Sequence, residues 1–206
     1  MSSPTKPRLP AAERRTNIVD AAVELFARHG FRGTTTRELA ASTGVTEPVL
    51  YQHFETKRGL YDAILESKST PDGVQSFFST IKEIAESGDN RAYFTFLGNC
   101  LLDWYVQDPR YARLLMFSAL EGHELSDLFY QRTVAVFYDV VTSHIQRQIE
   151  CGRFHSAEPL LAARLFAGMI AHQGVIFAIY HPGHLPASKE KIVQTAVDIF
   201  LRGIET

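Results

Sequence analysis

Two short helical stretches separated by one glycine constrain the fold of this chain more than any other feature. They lie in the sequence FRGTTTRELAASTGVTEPVLYQHFETK, which begins at Phe31. Thr35 and Glu38 have the spacing of a capping box, which predicts that a helix starts here. Gly44 supplies a tight turn, and Pro48 suits the first turn of a second helix. Helices this short are unstable alone, so both are expected to pack on a larger helical body.

The second short helix presents two chemically different faces. Val45, Leu50 and Phe54 are predicted to pack inward. The polar and aromatic residues between them then face outward, ending in Gln52 and His53. A helix, a glycine turn and a second helix with a free polar face are the parts of a helix-turn-helix, whose second helix enters the major groove of DNA.

Helical patterns continue through the rest of the chain, and no alternating strand pattern interrupts them. Helices are predicted over 11–29 and 36–43, and Thr56 is expected to cap a further helix from Lys57. Later breaks are expected at 71–73, 87–89, 108–109, 121–122, 151–152 and 181–183. The predicted fold class is all-α, with an N-terminal three-helix bundle, a larger C-terminal bundle and about nine to ten helices in all.

Charge and composition narrow the classes of protein. The net charge is −2, but residues 1–68 carry ten basic against eight acidic side chains, whereas the remainder carries eleven against fifteen. The mild excess of basic side chains in residues 1–68 is consistent with an N-terminal region that contacts phosphate groups. No apolar leader opens the chain, and polar residues interrupt the apolar stretch at 160–180, so a buried helix is expected and no membrane span. Cys100 and Cys151 have no metal spacing, as is typical of a cytoplasmic protein.

The helix-turn-helix region resembles the N-terminal signature of the TetR (tetracycline repressor) family. The similarity covers about residues 15–65, and beyond them only the helical architecture is similar. It is carried by Phe31, Thr34 to Arg37, Leu39, Ala40, Gly44, Val45, Leu50, Tyr51, His53, Phe54, Lys57 and Leu60. The resemblance implies a transcriptional regulator, a repressor, that binds a palindromic operator in double-stranded DNA as a homodimer.

The resemblance also implies which side chains meet DNA. Arg37 resembles a position that reaches a base edge, where a guanidinium suits guanine. Glu47 and Val49 lie where the family sets its sequence preference, and they suit cytosine N4 and a thymine methyl group. Lys57 resembles the family's phosphate anchor at a helix N-terminus. The predicted DNA contacts are Thr36, Arg37, Thr46, Glu47, Val49, Tyr51, Gln52, His53 and Lys57, of which Tyr51 and His53 resemble a backbone-contacting pair.

Each of these assignments has a purely structural alternative. Tyr51 can cover the core, Arg37 can pair with a surface carboxylate, and Glu47 can complement the helix dipole. The residues 1–10 form a predicted disordered arm, and whether its Lys6 and Arg8 add minor-groove contacts stays open.

The C-terminal part is predicted to hold an unidentified effector. The resemblance implies a pocket for a small apolar or aromatic molecule, and neither a cofactor nor a metal ion is expected. The candidate pocket residues are Phe78, Phe94, Trp104, Tyr105, Phe117, Phe137, His172 and Phe177. A solid core built from the same aromatics is the alternative, and it would favour a constitutive DNA-binding protein without an effector.

A dimer surface is predicted on two helices that are apolar on both sides. On the second of them, a small-residue stripe is assigned to the partner subunit, whereas Leu161, Leu165 and Met169 lie on the other side. The candidate interface residues are Phe129, Val136, Val140, Ala163, Ala167, Ala171, Gly174 and Ala178. A central helix in a monomer is the alternative.

The predicted domains are a helix-turn-helix domain over 11–56, a connecting helix over 57–69 and a ligand-binding and dimerisation domain over 70–206. An enzyme on a helical bundle is the main rival, but the chain has no nucleophile elbow, phosphate-binding glycine loop or HExxH helix. His181 and His184 are too few for a zinc site, and His123 is interpreted as a surface residue. The expected protein is therefore not an enzyme, and it is cytoplasmic and nucleoid-associated when bound to DNA.

Overall fold

The protein is described by a computed structural model covering residues 10–68 and 71–206. These residues form helices and one isolated bridge, between Phe154 and Glu205. The helices are α1 (Ala11–His29), α2 (Thr36–Ser42), α3 (Glu47–His53), α4 (Lys57–Lys68), α5 (Pro71–Ser87), α6 (Asn90–Gln107), α7 (Pro109–Leu120), α8 (Glu124–Phe129), α9 (Ala135–Glu150), α10 (Pro159–Val175) and α11 (Lys189–Ile204). A π-helical stretch, Tyr130–Val134, joins α8 to α9, and another, Ile176–Tyr180, extends α10. The all-α prediction is confirmed.

Local sequence signals set the helix ends of the N-terminal head, which we define as α1 to α4. Gly30 follows α1 with φ 71°, and its N–H donates to the Phe26 carbonyl oxygen at 3.0 Å. Thr56 Oγ1 accepts from the Gly59 N–H at 3.0 Å at the start of α4. A break between helices is predicted at 71–73, but in the structure these residues form the first turn of α5. The helix begins at Pro71 itself, because proline favours the first turn of a helix. The predicted arm up to residue 9 and the last residue of the connecting helix, Ser69, lie outside the described residues.

The buried apolar side chains form two clusters. The C-terminal cluster joins α6, α9, α10 and α11 around Phe94 and Phe166, both fully buried. The N-terminal cluster joins α1 to α4 around Ile18, and it also contains Leu114 from α7 and Leu125 from α8. The head therefore shares its hydrophobic core with two helices of the C-terminal part. The division at residues 56 and 69 stays a prediction.

The segment Pro159–Tyr180 is long and apolar enough to cross a membrane by length and composition. In the structure it is a central helix that packs against α6, α9 and α11. Ala163, Phe166 and Ile170 are fully buried there. The hydrophobic core of this subunit accounts for the apolar character of the inner side of α10.

Replacing Gly174 with alanine is expected to lower the free energy of unfolding by about 1–3 kcal/mol, the usual cost of overpacking a core. A Cβ at this buried position of α10 would overlap the ring of Tyr105 on α6. Urea denaturation measures the change. The matched control is Gly59→Ala in α4, where the added Cβ lies 3.6 Å from Thr56 Oγ1, an ordinary contact. Equal stability of the two variants would contradict the close approach of α6 and α10.

Candidate DNA-binding surface

The loop before α2 and the turn after it are held by local hydrogen bonds. Thr35 Oγ1 accepts from the Glu38 N–H at 3.2 Å, and the Thr35 N–H donates to Glu38 Oε2 at 2.8 Å, which completes the predicted capping box. The Thr35 N–H and the Thr35 hydroxyl, which donates to Glu38 Oε2 at 3.0 Å, lower the pKa of the Glu38 carboxyl. After α2, Gly44 has φ 68° and the Val45 N–H donates to the Ala40 carbonyl oxygen at 3.0 Å. The two short helices are thereby fixed relative to each other.

Helix α3 leans on the head with one side and leaves the other free. Leu50 and Phe54 are buried, and the guanidinium of Arg15 lies 5.0 Å above the Phe54 ring. Tyr51 is 45% exposed, which leaves part of its ring free for contact with DNA. The remaining predicted contacts on α3 and its N-cap are exposed or half-buried: Thr46, Glu47, Val49, Gln52 and His53. This exposure is what contact with DNA requires, and the contacts themselves stay predictions.

Two predicted DNA contacts bind each other. Thr36 Oγ1, in the first turn of α2, donates to Glu47 Oε2 at 2.9 Å, in the first turn of α3. The carboxylate of Glu47 therefore ties the starts of the two short helices together. It retains further lone pairs for a base or a helix N-terminus, because a carboxylate accepts about four hydrogen bonds.

The two predicted cationic contacts are free of carboxylates. Among the described residues, neither Arg37 nor Lys57 forms an ion pair, and both are exposed. The neighbouring Arg58 differs, since it pairs with Glu124 at 3.0 Å. Pairing of Arg37 with a surface carboxylate, the structural alternative, is not found in the part of the chain that the structure describes. Unpaired cations beside the free face of α3 suit an anionic backbone.

A groove of about 510 Å³ opens beside these residues. Its lining includes Thr36, Tyr51 and Lys57, which supply a polar rim of hydroxyl and ammonium groups because Tyr51 and Lys57 are exposed, and it also includes Phe31 and Tyr61. The walls are otherwise made by Phe26, Arg32, Thr34, Thr35, Leu39, Leu50, Phe54, Thr56, Leu60 and His123. Hydroxyl and cationic groups of this kind are the usual donors to DNA phosphates.

His123 lies in this groove rather than on the open surface, so its interpretation as a surface residue is wrong. Its Nε2 is 2.9 Å from the Tyr61 hydroxyl, and its ring stacks on Phe31 with centroids 3.9 Å apart. Its Nδ1 accepts from the Leu125 N–H at 3.2 Å and caps α8. Burial lowers the pKa of His123 below its ordinary value. The cap position ahead of Glu124 is the one sequence signal that could have placed it at a helix start.

Most of the predicted effector residues pack inside the subunit. Phe94 is fully buried among aromatic rings, with the Phe166 centroid at 4.9 Å. Tyr105 lies against Gly174, and Trp104 stacks on Phe129 at 5.3 Å. Phe117, Phe137 and Phe177 are half-buried, whereas His172 is exposed. These seven residues line neither the groove beside α3 nor the second groove described next, and their role in effector binding stays a prediction.

Phe78 lies in a second groove, between α5 and α9. This groove measures about 670 Å³ and is lined by Phe78, Ile81, Lys82, Ala85, Glu86, Tyr93, Asp139, Val140, Ser143 and Arg147. Five of the ten lining residues are polar, and four of these are charged, so only the volume of this groove lies in the range of small-molecule sites. Phe78 is the one predicted effector residue in its lining, and its role stays a prediction.

The predicted small-residue stripe is not supported as a dimer surface. Ala163, Ala167 and Ala178 are at most 3% exposed, and Gly174 is also buried. Small side chains let α6 and α9 approach α10 closely, so the stripe faces inward. The opposite side of α10, which is predicted to face the core, is exposed instead, since Leu161 is 56% and Leu165 is 62% exposed. Val136 is exposed, whereas Phe129, Val140 and Ala171 are half-buried.

Comparison with known proteins identifies the family. The family model of bacterial regulatory proteins of the tetR family matches residues 18–64, which include α2 and α3. The model of the C-terminal domain of AefR-like transcriptional repressors matches residues 107–203. The two cover more than half of the chain. The chain belongs to the TetR family.

Individual relatives agree with this assignment of the TetR-family chain. An uncharacterized HTH-type transcriptional regulator, YvkB of Bacillus subtilis (strain 168), is 37% identical over 92 residues, 44% of this chain and 45% of the relative. The HTH-type transcriptional repressor KstR2 of Rhodococcus jostii (strain RHA1) is 39% identical over 80 residues, 38% of this chain and 37% of the relative. The chain thus spans less than half the length of these curated relatives.

The fold of the TetR-family chain also has solved counterparts. The structure of AibR in complex with isovaleryl coenzyme A and operator DNA has a TM-score of 0.67 at 19% identity. It covers 90% of this chain and 97% of the AibR chain. At this identity the likeness shows the fold alone.

Proposed function

We propose that this TetR-family protein is a DNA-binding transcriptional repressor that binds a palindromic operator as a dimer and is released by a small effector. The observation that carries the proposal is the free face of α3 beside the unpaired Arg37 and Lys57. The proposal assigns no catalytic residue. The protein is proposed to be cytoplasmic and to be associated with the nucleoid when it is bound to DNA.

The test is selection of bound duplexes from a random DNA pool by the purified protein, at a stated salt concentration. We expect a motif with two-fold symmetry and half-sites about 34 Å apart or a multiple of it. Absence of enrichment by folded protein would contradict the proposal. The selected duplex also serves as the probe for an effector screen.

Replacing Arg37 and Lys57 one at a time is expected to separate base reading from phosphate binding. Arg37→Ala should cost about 1–3 kcal/mol and relax the preference at one base pair of each half-site. Lys57→Ala should weaken binding to all DNA sequences alike. It should also reduce by about one the salt slope, which is the slope of the logarithm of affinity against the logarithm of salt concentration. Titrations of the selected duplex and of single-base variants at several salt concentrations measure both. If Arg37→Ala lost the same binding free energy on every DNA sequence, Arg37 would be a contact to the DNA backbone and not to a base.

The dimer is proposed to form through the outer sides of α10 and α11. Leu161 and Leu165 on α10 and Ile199 on α11 are more than half exposed. Gly168 and Gly203 lie on the same helices, and a Cβ at either would meet nothing within the subunit. Glycine inside a helix costs about 0.5–1 kcal/mol relative to alanine. Packing within one subunit does not explain why these two positions are glycine. Close approach of a second copy of the chain would explain both.

The effector is proposed to be a small apolar or aromatic molecule bound in the C-terminal bundle. Its support is the groove between α5 and α9, whose lining includes Phe78, Ile81 and Val140. The AibR structure, which is similar in fold, contains isovaleryl coenzyme A, so this fold can hold a ligand. A ligand releases DNA only if it binds the DNA-free conformation better. Constitutive DNA binding is the second candidate, because Phe94 and Tyr105 are used in packing. Operator affinity that no effector candidate changes would favour the second candidate.

A further inference from the structure

The turn between α7 and α8, formed by residues 121–123, reaches the loop that precedes α2. Glu121 Oε2 accepts from the backbone N–H groups of Phe31 and Arg32, each at 3.0 Å. The Arg32 guanidinium donates in return to the Glu121 carbonyl oxygen at 3.2 Å. A Cβ on Gly30 would overlap the Glu121 carboxylate, so this approach needs glycine in the head. The turn is therefore fitted to that loop.

The same turn also binds α4 through His123. Because Nδ1 accepts from the Leu125 N–H, the neutral ring carries its proton on Nε2 and donates it to the Tyr61 hydroxyl. The rings of Phe31 and Tyr61 are themselves in edge contact, with centroids 5.8 Å apart. One turn of the C-terminal part thus joins the loop before α2 to the middle of α4.

Both attachment points lead directly to the DNA-facing residues. Phe31 is five residues ahead of Thr36, and Tyr61 is one helical turn beyond Lys57. Phe31, Tyr61 and His123 line the same groove as the polar rim. A turn outside the head therefore contacts both the loop before α2 and the middle of α4, close to the residues predicted to meet DNA.

We propose that the 121–123 turn is a positioning element for DNA binding, in which Glu121 holds the loop before α2 and His123 holds that loop against α4. The inference rests on the proposed DNA-binding function and extends it to residues that touch no DNA. The head and the C-terminal part also share a buried apolar core through Leu114 and Leu125. They are joined further by exposed ion pairs, such as Asp62 with Arg132 at 2.8 Å. Exposed pairs contribute little.

The test compares three variants of the full chain: Glu121→Ala, Glu121→Gln and Arg132→Gln. Alanine leaves the N–H groups of Phe31 and Arg32 without their acceptor, whereas glutamine keeps an amide oxygen there. Arg132→Gln is the matched control, because it removes a contact between the same parts of the chain that does not reach the loop before α2. Operator affinity is measured on the selected duplex at several salt concentrations, with the active fraction set by stoichiometric titration.

Glu121→Ala is expected to weaken operator binding about 3- to 30-fold, the range for residues that modulate coupling without touching a ligand. Its salt slope should equal that of the wild type, because no phosphate contact is lost. Glu121→Gln should recover most of the affinity, and Arg132→Gln should stay within about twofold. His123→Phe, which keeps the stack on Phe31 but not the bond to Tyr61, should weaken binding as well. Wild-type affinity of both Glu121→Ala and His123→Phe would overturn the proposal.

Hydrogen exchange separates this inference from the DNA-binding function. The amides of Phe31 and Arg32 should be protected in the wild type and should exchange at least about tenfold faster in Glu121→Ala than in Arg132→Gln. If the wild type selects no duplex, the proposed function fails, and these two amides still test whether Glu121 holds the loop. Unchanged protection in Glu121→Ala would overturn the positioning role.

Discussion

Replacing Leu165 with glutamate is expected to convert the proposed dimer into monomers and to weaken operator binding about 100-fold or more. Leu165 is 62% exposed in the middle of α10, beside Gly168 and one turn from Leu161. A second subunit that covers this stripe would bury a glutamate without a partner, which an apolar interface does not tolerate. Linking two half-site readers raises affinity by about 10²–10⁴, and that gain is lost in a monomer.

Sedimentation of the free protein and titration of the selected duplex measure the two effects of Leu165→Glu. Met116→Glu is the matched control, since Met116 is an apolar side chain that is 40% exposed on a different helix, α7. It should leave both the dimer and the operator affinity unchanged. A dimeric Leu165→Glu protein would place the interface on another surface.

Lowering the pH from about 7 to about 4 is expected to remove about 3 kcal/mol of stability through His144 alone. Burial, with smaller contributions from Arg147 and Arg153, lowers the pKa of His144 from 6.5 to about 4. The ring is 1% exposed and stacks on Tyr93 with centroids 3.6 Å apart. Its Nε2 is 3.0 Å from Asn90 Oδ1, and its Nδ1 has no hydrogen-bond partner among the described residues.

The sign follows from proton binding in the two states. The unfolded chain protonates this histidine near pH 6.5, whereas the native ring stays neutral down to about 4. The contribution is therefore complete above pH 6.5 and is lost as the pH falls toward 4. The carboxyl groups of Glu38 and Asp108 have a lowered pKa, so they also contribute to stability. That contribution is lost at more acid pH, below their ordinary pKa values of 4.5 and 3.8.

Urea denaturation of the wild type and of His144→Phe between about pH 7 and pH 4 measures this contribution. Phenylalanine keeps the stack on Tyr93 but does not titrate, so its stability profile should be flatter over this window. His123 also has a pKa lowered by burial and acts in the same direction in both proteins. Parallel profiles would show that His144 does not cause the acid loss.

The head could be predicted closely because its signals are local. Thr35 and Glu38 cap α2 across three residues, and Pro48 lies in the first turn of α3. Such interactions depend only on neighbours in the sequence, so they act in the same way in any surrounding. The exposure of Arg37 and Tyr51 follows from the same helical spacing.

The partners of the candidate site could not be predicted in this way. Glu121 and His123 lie about 90 residues from Phe31 along the chain, and no local pattern links them. Thr36 and Glu47 are closer in sequence, but both are typical first-turn residues, so their mutual hydrogen bond is visible only once α2 and α3 are packed.

The sequence by itself determined the helical fold class, the helix-turn-helix and its capped ends, and the residues that α3 leaves free. Only the tertiary structure decided which side of α10 faces inward, since both sides are apolar and hydrophobic spacing does not distinguish them. Ala163, Ala167 and Gly174 lie inside because small side chains let neighbouring helices approach, as Tyr105 does at Gly174. Leu161 and Leu165 are left on the outside, because burial depends on the shapes of all packed helices together and not on the polarity of one of them.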